Sequence, residues 1–438
     1  MFTTLTPNEL ETPRVSTLLP WLVCFSAALF FFYEFIQMNM INAISSDLMR
    51  DFSLNATQLN NLSSTYFWGD VALLFPAGIL LDRFSVRKII MFGMSLGILG
   101  SLIFAITHSF SIAAGAHFLA GIGNAFSFLS CMILASRWFP PQRMALVVGL
   151  IVTFAMAGGI VAQTPFTLLN SVIGWRNVLL LNAALGLMIL AIIYAVVRDY
   201  PPHQEALLKQ QKQKLQSYGF WASIRKTVTY PQNWLAGIYT SLLNLPIMVF
   251  GAADGILHLT QDFQLSKSNA SFVVTMIFLG TIIGSPSVSW LSDRIGLRKT
   301  PMIVCAIISL ALMCAIMFLP HLTYLSLIVL YLLLGIFTSA QVISYPMIAE
   351  SNPKYLTGTA MGLASVLIMG GGGVSEQLFG WLLDFSAHPT LINGVPFYNH
   401  LDFTRALSML PIAFILGLIA AFFLRETFCK ASPDVENH

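Results

Sequence analysis

The fold of this chain is decided by the stretch Gly78-Ile-Leu-Leu-Asp82-Arg83-Phe-Ser-Val-Arg87-Lys88, which recurs as Ser289-Trp-Leu-Ser-Asp293-Arg294-Ile-Gly-Leu-Arg298-Lys299. The two copies stand 211 positions apart. The register extends towards the N-terminus, where Asp51-Phe52-Ser-Leu54 recurs as Asp262-Phe263-Gln-Leu265. A repeat of this length in an apolar chain predicts a membrane bundle made of two copies of one unit.

The composition requires lipid as the solvent. Of the 438 residues, 56% are hydrophobic and only 9% are charged, and the mean hydropathy is +0.77. Soluble proteins carry about 25% charged residues. A water-soluble core could not cover this much apolar surface, so we expect an integral membrane protein.

Twelve stretches are long and apolar enough to cross a bilayer, which takes roughly 20 residues. The predicted spans are 18–42, 57–81, 89–108, 110–136, 144–170, 177–197, 233–257, 269–291, 301–320, 322–349, 356–383 and 406–424. With both termini on one side, that side receives 18 of the 22 lysines and arginines. Positive residues stay in the cytoplasm, so we predict that both termini are cytoplasmic.

The spans divide into two halves joined by a polar linker. We predict an N-terminal six-helix bundle over 1–197, a cytoplasmic linker over 198–232, and a C-terminal six-helix bundle over 233–438. The aromatic and basic residues of 220–226 predict a short helix on the membrane surface. The loop 384–405 is predicted to be a surface cap on the external side. The five cysteines form no close pair of the kind that binds metal, so we expect no metal site.

Glycines also repeat between the halves. Gly149, Gly158 and Gly159 fall opposite Gly362, Gly371 and Gly372 at an offset of 213. Glycine lowers helix stability by roughly 1 kcal/mol relative to alanine. In lipid it also lets helix backbones approach closely. We therefore predict tight or flexing helix contacts at these positions.

These features together resemble the major facilitator superfamily over nearly the whole chain. The strongest element is the doubled loop signature. Gly121-Ile-Gly123, Trp138-Phe139-Pro140-Pro141 and Gly174-Trp175-Arg176 also match the family pattern. The resemblance implies an all-α membrane fold of two pseudo-symmetric six-helix bundles that alternate access to a central site.

Departures from the family pattern qualify the expected mechanism. Ser85 replaces a common glycine of the signature, and His117 replaces an arginine that many members use for proton coupling. The fifth span has Gly158-Gly159-Ile-Val-Ala-Gln163-Thr-Pro165, which is not the pattern of drug/proton antiporters. The Phe32-Tyr33-Glu34-Phe35 stretch resembles a bacterial solute-uptake branch similar to nutrient carriers of intracellular bacteria.

Ionisable residues within the spans are the first candidates for transport, because burying one costs roughly 2.5–3.5 kcal/mol. Glu34 in the first span is predicted to hold a proton or a substrate amine, and Gln37 shares its helix face. Asp70 in the second span is predicted to line the pathway. Glu376 in the eleventh span corresponds to Gln163 in the repeat. For Glu34 and Asp70, a structural hydrogen-bonding role is the alternative. For Glu376, the alternative is an interface residue that holds the two halves together.

Further polar residues complete the predicted pathway. His117 and Asn124 lie on one face of the fourth span. For His117, a packing role with satisfied hydrogen bonds is favoured over proton relay. Asn244, Gln341 and Tyr345 are predicted to face the cavity. Asp254 lies nearer the outer end of its span, where the role of an external gate or cap is favoured.

The loop signatures are predicted to control gating rather than to bind substrate. They comprise Gly78, Asp82, Arg83, Arg87, Lys88, Asp293, Arg294, Arg298 and Lys299. Their aspartates can pair with Arg87 or Arg298, or lie at the positive end of a neighbouring helix. The family resemblance implies that this network stabilises the outward-open state. The alternative is that these residues only determine topology.

We therefore predict a secondary active transporter of a small polar organic solute, such as an amino acid or short peptide, with proton-coupled uptake across a bacterial inner membrane. Efflux, or transport of a siderophore or organic acid, is the alternative, and a non-transporting receptor is the rival of another class. Nucleotide-binding and zinc-protease motifs are absent from the sequence, so no enzyme is expected. We expect a monomer in a lipid bilayer that binds a small-molecule substrate, no nucleic acid and no cofactor, with protons as the coupling ion.

Overall fold

The computed structural model describes residues 18–139, 144–201, 220–352, 357–385, 390–392 and 395–430. In these ranges the chain is almost entirely helical. Within each half, most connections between consecutive membrane spans are short, so consecutive spans run in alternating directions across the bundle. This is the all-α membrane architecture that the hydropathy pattern predicts.

In its described residues, the first half contains eight helices that form six spans. They are α1 (Leu19–Phe52), α2 (Ala56–Arg83), α3 (Val86–Ile106), α4 (Phe110–Asn124), α5 (Ser127–Trp138), α6 (Met144–Ala162), α7 (Thr164–Ile173) and α8 (Trp175–Val196). Spans 1, 2, 3 and 6 are α1, α2, α3 and α8. Span 4 is α4 followed by α5, and span 5 is α6 followed by α7. Span 5 is interrupted at Gln163, two residues before Pro165, where proline restricts the backbone.

The second half follows the short helix α9 (Phe220–Thr229). Its elements are α10 (Pro231–Pro246), a π-helical segment (Ile247–Asp254), α11 (Gly255–Gln261), α12 (Lys267–Ile295), α13 (Lys299–Phe318), α14 (Tyr324–Thr338), a 3₁₀ segment (Ser339–Ile343), α15 (Ser344–Ser351), α16 (Thr357–Asp384), β1 (Thr390–Ile392), β2 (Val395–Phe397), α17 (His400–Leu407) and α18 (Met409–Phe423). Span 7 runs from α10 to α11, and span 10 from α14 to α15. Spans 8, 9 and 11 are α12, α13 and α16, and span 12 is α17 with α18.

Eleven helices of the described residues are long and apolar enough to cross a membrane. They correspond to every predicted span except 57–81. That prediction coincides with α2, which has 28 residues and several side chains outside the described part. The short helix predicted near 220–226 is present as α9, whereas its position on the membrane surface stays a prediction.

Span 1 is longer than the sequence predicts. The hydropathy pattern predicts limits of 18–42, but α1 continues to Phe52. The extra turns are amphipathic: Ile44, Leu48 and Met49 are buried, whereas Asp47 and Arg50 form an ion pair with N···O 2.9 Å. Hydropathy detects only the apolar part of such a helix, because helical hydrogen bonds continue into the polar end.

Besides the contact of span 1 with span 7, the two halves pack through two contacts that the repeat relates to each other, which we call seams. Span 2 packs on span 11, and span 5 packs on span 8. In the repeat, span 2 corresponds to span 8 and span 5 to span 11. Gly159 of span 5 lies against the ring of Phe278, and Gly372 of span 11 lies against Phe67. The repeat-related glycines therefore face repeat-related phenylalanines, and glycine leaves room for each ring.

Two ends of the bundle are distinguished by their connections. The cap end carries residues 53–55, 262–266, 385, 390–392 and 395–399, and the signature end carries 84–85 and 296–298. At the cap end, β1 and β2 form an antiparallel hairpin, so the predicted cap is structured there. The charge pattern predicts that the cap end is external.

Candidate functional site

A polar cluster fills the interior of the first half. Glu34 is 2% exposed and accepts a hydrogen bond from the Ser127 hydroxyl of span 4. The Tyr66 hydroxyl lies 3.3 Å from the backbone oxygen of Glu34. Asp70 is also buried and interacts electrostatically with Glu34. The two predicted acids of spans 1 and 2 are therefore neighbours within one apolar bundle.

Gln37 extends this cluster to spans 3 and 4. Its amide nitrogen donates to the backbone oxygen of Gly97 at 3.0 Å and to Ser101 Oγ at 2.9 Å. Its amide oxygen accepts from Asn124 Nδ2 at 2.5 Å. Asn124 also donates to the Tyr66 hydroxyl at 3.0 Å. Glu34, Gln37 and Asn124 thus share one hydrogen-bonded network, which we call the N-half network.

His117 lies beside this network but does not join it. Its ring is buried and is centred 5.2 Å from the Tyr66 ring and 5.7 Å from the Phe104 ring. Within the part of the chain that the structure describes, neither ring nitrogen has a hydrogen-bond partner. The expectation of a packing residue with satisfied hydrogen bonds is therefore wrong in its second part: His117 packs, but its polar atoms are unpaired because its neighbours here are aromatic.

In the second half, the predicted cavity residues form a smaller group. Gln341 Nε2 donates to Asn244 Oδ1 at 2.7 Å. Gln341 lies in the 3₁₀ segment of span 10, and Asn244 lies in α10 of span 7. The Tyr345 hydroxyl interacts with Ser365 of span 11. The structure therefore joins Asn244 to Gln341 and directs Tyr345 towards another span.

Gln163 contacts the other half directly. Its amide nitrogen donates to the backbone oxygen of Gly251 at 2.7 Å. Asn42 of span 1 donates to Gln163 Oε1 at 3.0 Å and to the backbone oxygen of Phe250 at 2.6 Å. It also accepts from the backbone N–H of Ile256 at 2.9 Å. Asn42 and Gln163 therefore attach the first half to the π-helical segment of span 7.

Glu376 lies at the seam between spans 2 and 11. It is fully buried, and neither of its carboxyl oxygens has a hydrogen-bond partner in the described ranges of the chain. It interacts with Ser63 and Asp254. Asp254 in turn accepts a hydrogen bond from Asn60 Nδ2 at 3.1 Å. The structure thus separates Glu376 from the N-half network and places it beside Asp254.

The cap end holds the halves together. The Tyr398 hydroxyl accepts from the backbone N–H of Ala56 at 2.8 Å and donates to Asp384 Oδ1 at 2.7 Å. Burial and this carboxylate raise the pKa of Tyr398, so it stays a donor. Asp384 Oδ2 accepts from the backbone N–H of Thr57 at 2.7 Å. Lys267 Nζ lies 3.5 Å from Asp47 Oδ2 across the two halves.

The second signature forms an ionic network within its own half. Arg298 Nη1 lies 2.6 Å from Asp293 Oδ1, and Arg298 Nη2 lies 2.8 Å from Glu350 Oε1 of span 10. Glu426 accepts from the backbone N–H groups of Arg298 and Lys299 at 2.7 and 2.9 Å. Burial alone would lower the pKa of Arg298, but its bonds to Glu350 and Asp293 raise it, so the guanidinium stays charged.

Other signature residues have separate contacts. Arg87 donates to the backbone oxygen of Tyr194 and lies over its ring. Arg294 is exposed above Trp290, and Lys299 Nζ donates to the backbone oxygen of Phe422 at 2.6 Å. The exposed Lys88 bonds Ser85 through its backbone N–H. The side chains of Gly78, Asp82 and Arg83 lie outside the described residues, and so does the predicted Asp82–Arg87 pairing.

Sequence reasoning missed several residues that complete these groups. They are Asn42, Asn60, Ser63, Tyr66, Ser127 and Glu350. A helical-period signal is present for part of the set. Asn60, Ser63 and Asp70 follow an i, i+3, i+10 pattern, which places three polar groups on one face of span 2. Glu350 carries no comparable signal, because it is distant in sequence from its partner Arg298.

Comparison with known proteins gives a consistent result over the whole chain. The family model described as Major Facilitator Superfamily matches residues 24–253 and 240–434. The probable galactarate/D-glucarate transporter GudP of Escherichia coli is 20% identical over 78% of this chain and 82% of its own length. The lysosomal dipeptide transporter MFSD1 of Homo sapiens is 23% identical over 78% of this chain and 75% of its own length.

A shorter sequence match and a solved structure are also similar to this chain. A drug efflux pump of Mycobacterium tuberculosis is 27% identical, but the chain spans only 31% of its length. Among solved structures, a bacterial homologue of the human lysosomal transporter Spinster, in an inward-facing and unoccupied conformation, superposes with a TM-score of 0.74 at 17% identity. That superposition covers 96% of this chain and 100% of the homologue. At this identity the likeness shows the fold.

Proposed function

The chain belongs to the major facilitator superfamily of membrane transporters, and we propose that it takes up a small polar organic solute together with protons. The substrate class is amino acids, short peptides or similar zwitterions. We place the protein in a bacterial inner membrane as a monomer, with the signature end in the cytoplasm and without a cofactor.

One observation carries this proposal: two buried acids lie together, Glu34 in the N-half network and Asp70 beside it. A carboxylate in an apolar bundle is costly unless it is paired or neutralised. Glu34 and Asp70 are close enough to interact, and the hydrogen-bonding neighbours of Glu34 are neutral. Two interacting acids of this kind take up and release protons as a pair. This favours protons as the coupling ion.

The charge of the interior supports the substrate class. The N-half network and the Asn244–Gln341 pair contain carboxyl, amide and hydroxyl groups but, among the described residues, no lysine or arginine. A simple anion would need a cation in the site. An amine or ammonium group can instead pair with Glu34 or Asp70, and amides can bind a peptide group. The dipeptide transport named for one relative is consistent with this class.

The closed cap end supports alternating access. Asn42, Gln163, Tyr398 and Lys267 all bond across the halves towards this end. The Arg298 network instead joins spans of a single half. With the signature end in the cytoplasm, this arrangement corresponds to an inward-facing carrier. Rocking the halves apart at the cap end would then expose the site to the outside.

Transport into liposomes tests the proposal. The purified protein is reconstituted with an inward proton gradient, and labelled amino acids, dipeptides and sugar acids are screened for uptake. We expect accumulation of a zwitterion that collapses when a protonophore dissipates the gradient. Glu34→Gln should reduce accumulation at least about tenfold, because it removes one of the two acids that bind protons as a pair.

Asp51→Asn is the matched control. Asp51 is on the same helix, lies at the cap end, and accepts a hydrogen bond from Trp175 Nε1 at 2.8 Å, which an asparagine oxygen can still accept. We expect near-normal uptake. Accumulation by Glu34→Gln against a gradient with unchanged pH dependence would refute the proton role. Accumulation of sugar acids alone would refute the substrate class, and substrate movement only in the outward direction would favour the efflux alternative.

A further inference from the structure

Five buried oxygen atoms that have no hydrogen-bond partner among the described residues lie where spans 2, 7 and 11 meet. They are Asn60 Oδ1, Ser63 Oγ, Asp254 Oδ2, Glu376 Oε1 and Glu376 Oε2. All four side chains are 0% exposed. We call these four residues the seam cluster.

Direct interactions hold the seam cluster together. Asn60 Nδ2 donates to Asp254 Oδ1 at 3.1 Å, which leaves the amide oxygen of Asn60 and the second oxygen of Asp254 unpaired. Glu376 interacts with both Ser63 and Asp254. The unpaired atoms of four side chains on three spans therefore share one buried space.

The charge of this space is not compensated by the protein. The other titratable groups that act on it, among the described residues, are Asp384 and Tyr398, which interact with Asp254. Neither supplies a positive charge. Two buried carboxyl groups without a cationic partner are strongly unfavourable, and unpaired buried oxygens each add a further cost. Hard cations prefer sites in which all ligands are oxygen atoms.

We propose that the seam cluster binds a small monovalent cation, Na⁺ or H⁺, when the cap end is closed. Both ions are bound by oxygen atoms, and both reduce the negative charge of the acid pair. Asp254 ends the π-helical segment of span 7. Interrupted helices of this kind supply cation sites in other transporters.

The seam cluster lies next to the residues that close the cap end, so cation binding can be coupled to the opening and closing of that end. These residues are Asp384 and Tyr398. Separation of spans 2 and 11 at that end would expose Asp254 and Glu376 to water, where ionised carboxylates are stable. Closure would return them to an apolar seam. The cation must therefore enter from the cap side before the cap end closes. Only this coupling role rests on the proposed transport function, because binding itself needs no substrate.

Cation binding is measured on the purified full-length chain without substrate. Thermal unfolding is followed with NaCl against choline chloride at fixed ionic strength, and then over a range of pH without sodium. A ligand that binds only the folded state raises the melting temperature with its concentration. We expect wild type to be stabilised by Na⁺, by lower pH, or by both, and the responding arm identifies the ion.

Neutral variants make the test specific. Asp254→Asn and Glu376→Gln remove a buried charge, so each should melt at or above the wild-type temperature without the cation. Each should also weaken the cation response, with a half-saturating concentration raised at least about tenfold. Ser63→Ala should weaken the response without changing the charge. This variant keeps the test valid if a carboxyl variant fails to fold.

Two controls test whether the cation response belongs to the seam cluster. Ser64→Ala removes the adjacent hydroxyl, which donates to the backbone oxygen of Asn61 at 3.0 Å, and should respond like wild type. Glu34→Gln should keep the Na⁺ response because Glu34 lies in the N-half network, outside the seam cluster. If wild type responds to neither ion, or if Asp254→Asn and Glu376→Gln respond as wild type does, the site is disproved. A failure of uptake with a normal cation response would count against the proposed function alone.

Discussion

Arg298 is the residue on which most interactions of the signature end converge. It joins the end of span 8 to span 10 through Asp293 and Glu350, and its backbone is held by Glu426. Its side chain and that of Glu350 are largely buried. A guanidinium presents donors in a fixed fork that one carboxylate can accept, whereas a lysine offers a single point charge.

Removal of this guanidinium should be costly. Arg298→Ala leaves Glu350 unpaired in a mostly buried place, and we expect a loss of about 2–3 kcal/mol in the free energy of unfolding, somewhat below the range for fully buried pairs. Arg298→Lys should recover only part of it. Denaturant unfolding in detergent measures both. Arg294→Ala is the control, because Arg294 is exposed. It should lower the free energy of unfolding by at most about 0.5 kcal/mol. Equal losses for Arg294→Ala and Arg298→Ala would contradict the stabilising role of the Arg298 network.

At the cap end, Asp262 interacts with two histidines, one within its own span and one in the cap. Burial would raise its pKa, but the hydrogen bonds and charges of His258 and His400 outweigh burial and lower it. His400 Nδ1 lies 2.8 Å from Asp262 Oδ1, and His258 Nε2 lies 3.3 Å from Asp262 Oδ2. A carboxyl with a lowered pKa stabilises the folded state above its ordinary pKa of about 4, and this contribution is lost as the pH falls through the lowered value.

Because the pKa of Asp262 is lowered, the stability of the cap should depend on pH. Asp262→Asn should speed hydrogen exchange of residues 395–407 at neutral pH, by a factor equivalent to about 1 kcal/mol or less, since His400 is exposed. The difference between variant and wild type should shrink below about pH 4. Hydrogen exchange with mass spectrometry checks this. A difference that persists unchanged at low pH would mean that the charge of Asp262 does not hold the cap.

At the scale of elements, the seams depend on where glycine is placed. A Cβ on Gly159 would collide with the Phe278 ring, and one on Gly372 would lie 3.2 Å from the Phe67 ring. Gly149 and Gly362, which repeat at the same offset, have open space instead. The glycine repeat therefore contains both contact positions and positions where the helix only lacks a side chain.

Alanine substitution should separate these two kinds of glycine. Gly159→Ala should destabilise the protein by about 1–3 kcal/mol through overpacking, and Gly372→Ala by less because its contact is longer. Gly149→Ala and Gly362→Ala should be neutral or stabilising by up to about 1 kcal/mol. Melting temperature and uptake rate report the outcome. Equal effects at all four positions would contradict the seam contacts.

The sequence predicts the helices better than it predicts their interruptions. Hydropathy and charge locate the spans, because lipid requires apolar side chains and internal backbone hydrogen bonds. The π-helical segment 247–254 has no such signature. Its backbone oxygens are bonded by Asn42 and Gln163 from the other half, so its shape depends on contacts between residues that are distant in the chain.

In the candidate site, the buried acids can be predicted from the sequence, but their hydrogen-bonding partners cannot. Glu34, Asp70 and Glu376 are conspicuous because acids are rare in spans. Their partners Ser127, Ser63 and Asn60 are common residue types that only the packing identifies. The sequence also suggests one pathway, whereas the described residues form separate groups: Glu34 and Asn124 in one half, Gln341 with Asn244 in the other, and Glu376 at the seam.

At the scale of the whole molecule, transport requires the cap end to open. A reversible cross-link between cysteines introduced by Thr57→Cys and Asp384→Cys would join spans 2 and 11 where they already bond. We expect uptake to fall to the level of empty liposomes and to recover on reduction of the cross-link. Each single variant serves as a control and should keep most of its uptake. Full activity of the cross-linked protein would refute opening at this end.

The pairing of the seams has a consequence for how such a molecule is assembled. Span 2 meets a copy of span 5, and span 5 meets a copy of span 2. This reciprocal pattern is the isologous contact by which two identical subunits close a two-fold dimer. Each half therefore carries a self-complementary surface, and the linker only fixes which two surfaces meet. Once the halves are tethered, each copy can diverge, so that the acid pair Glu34 and Asp70 belongs to one half alone.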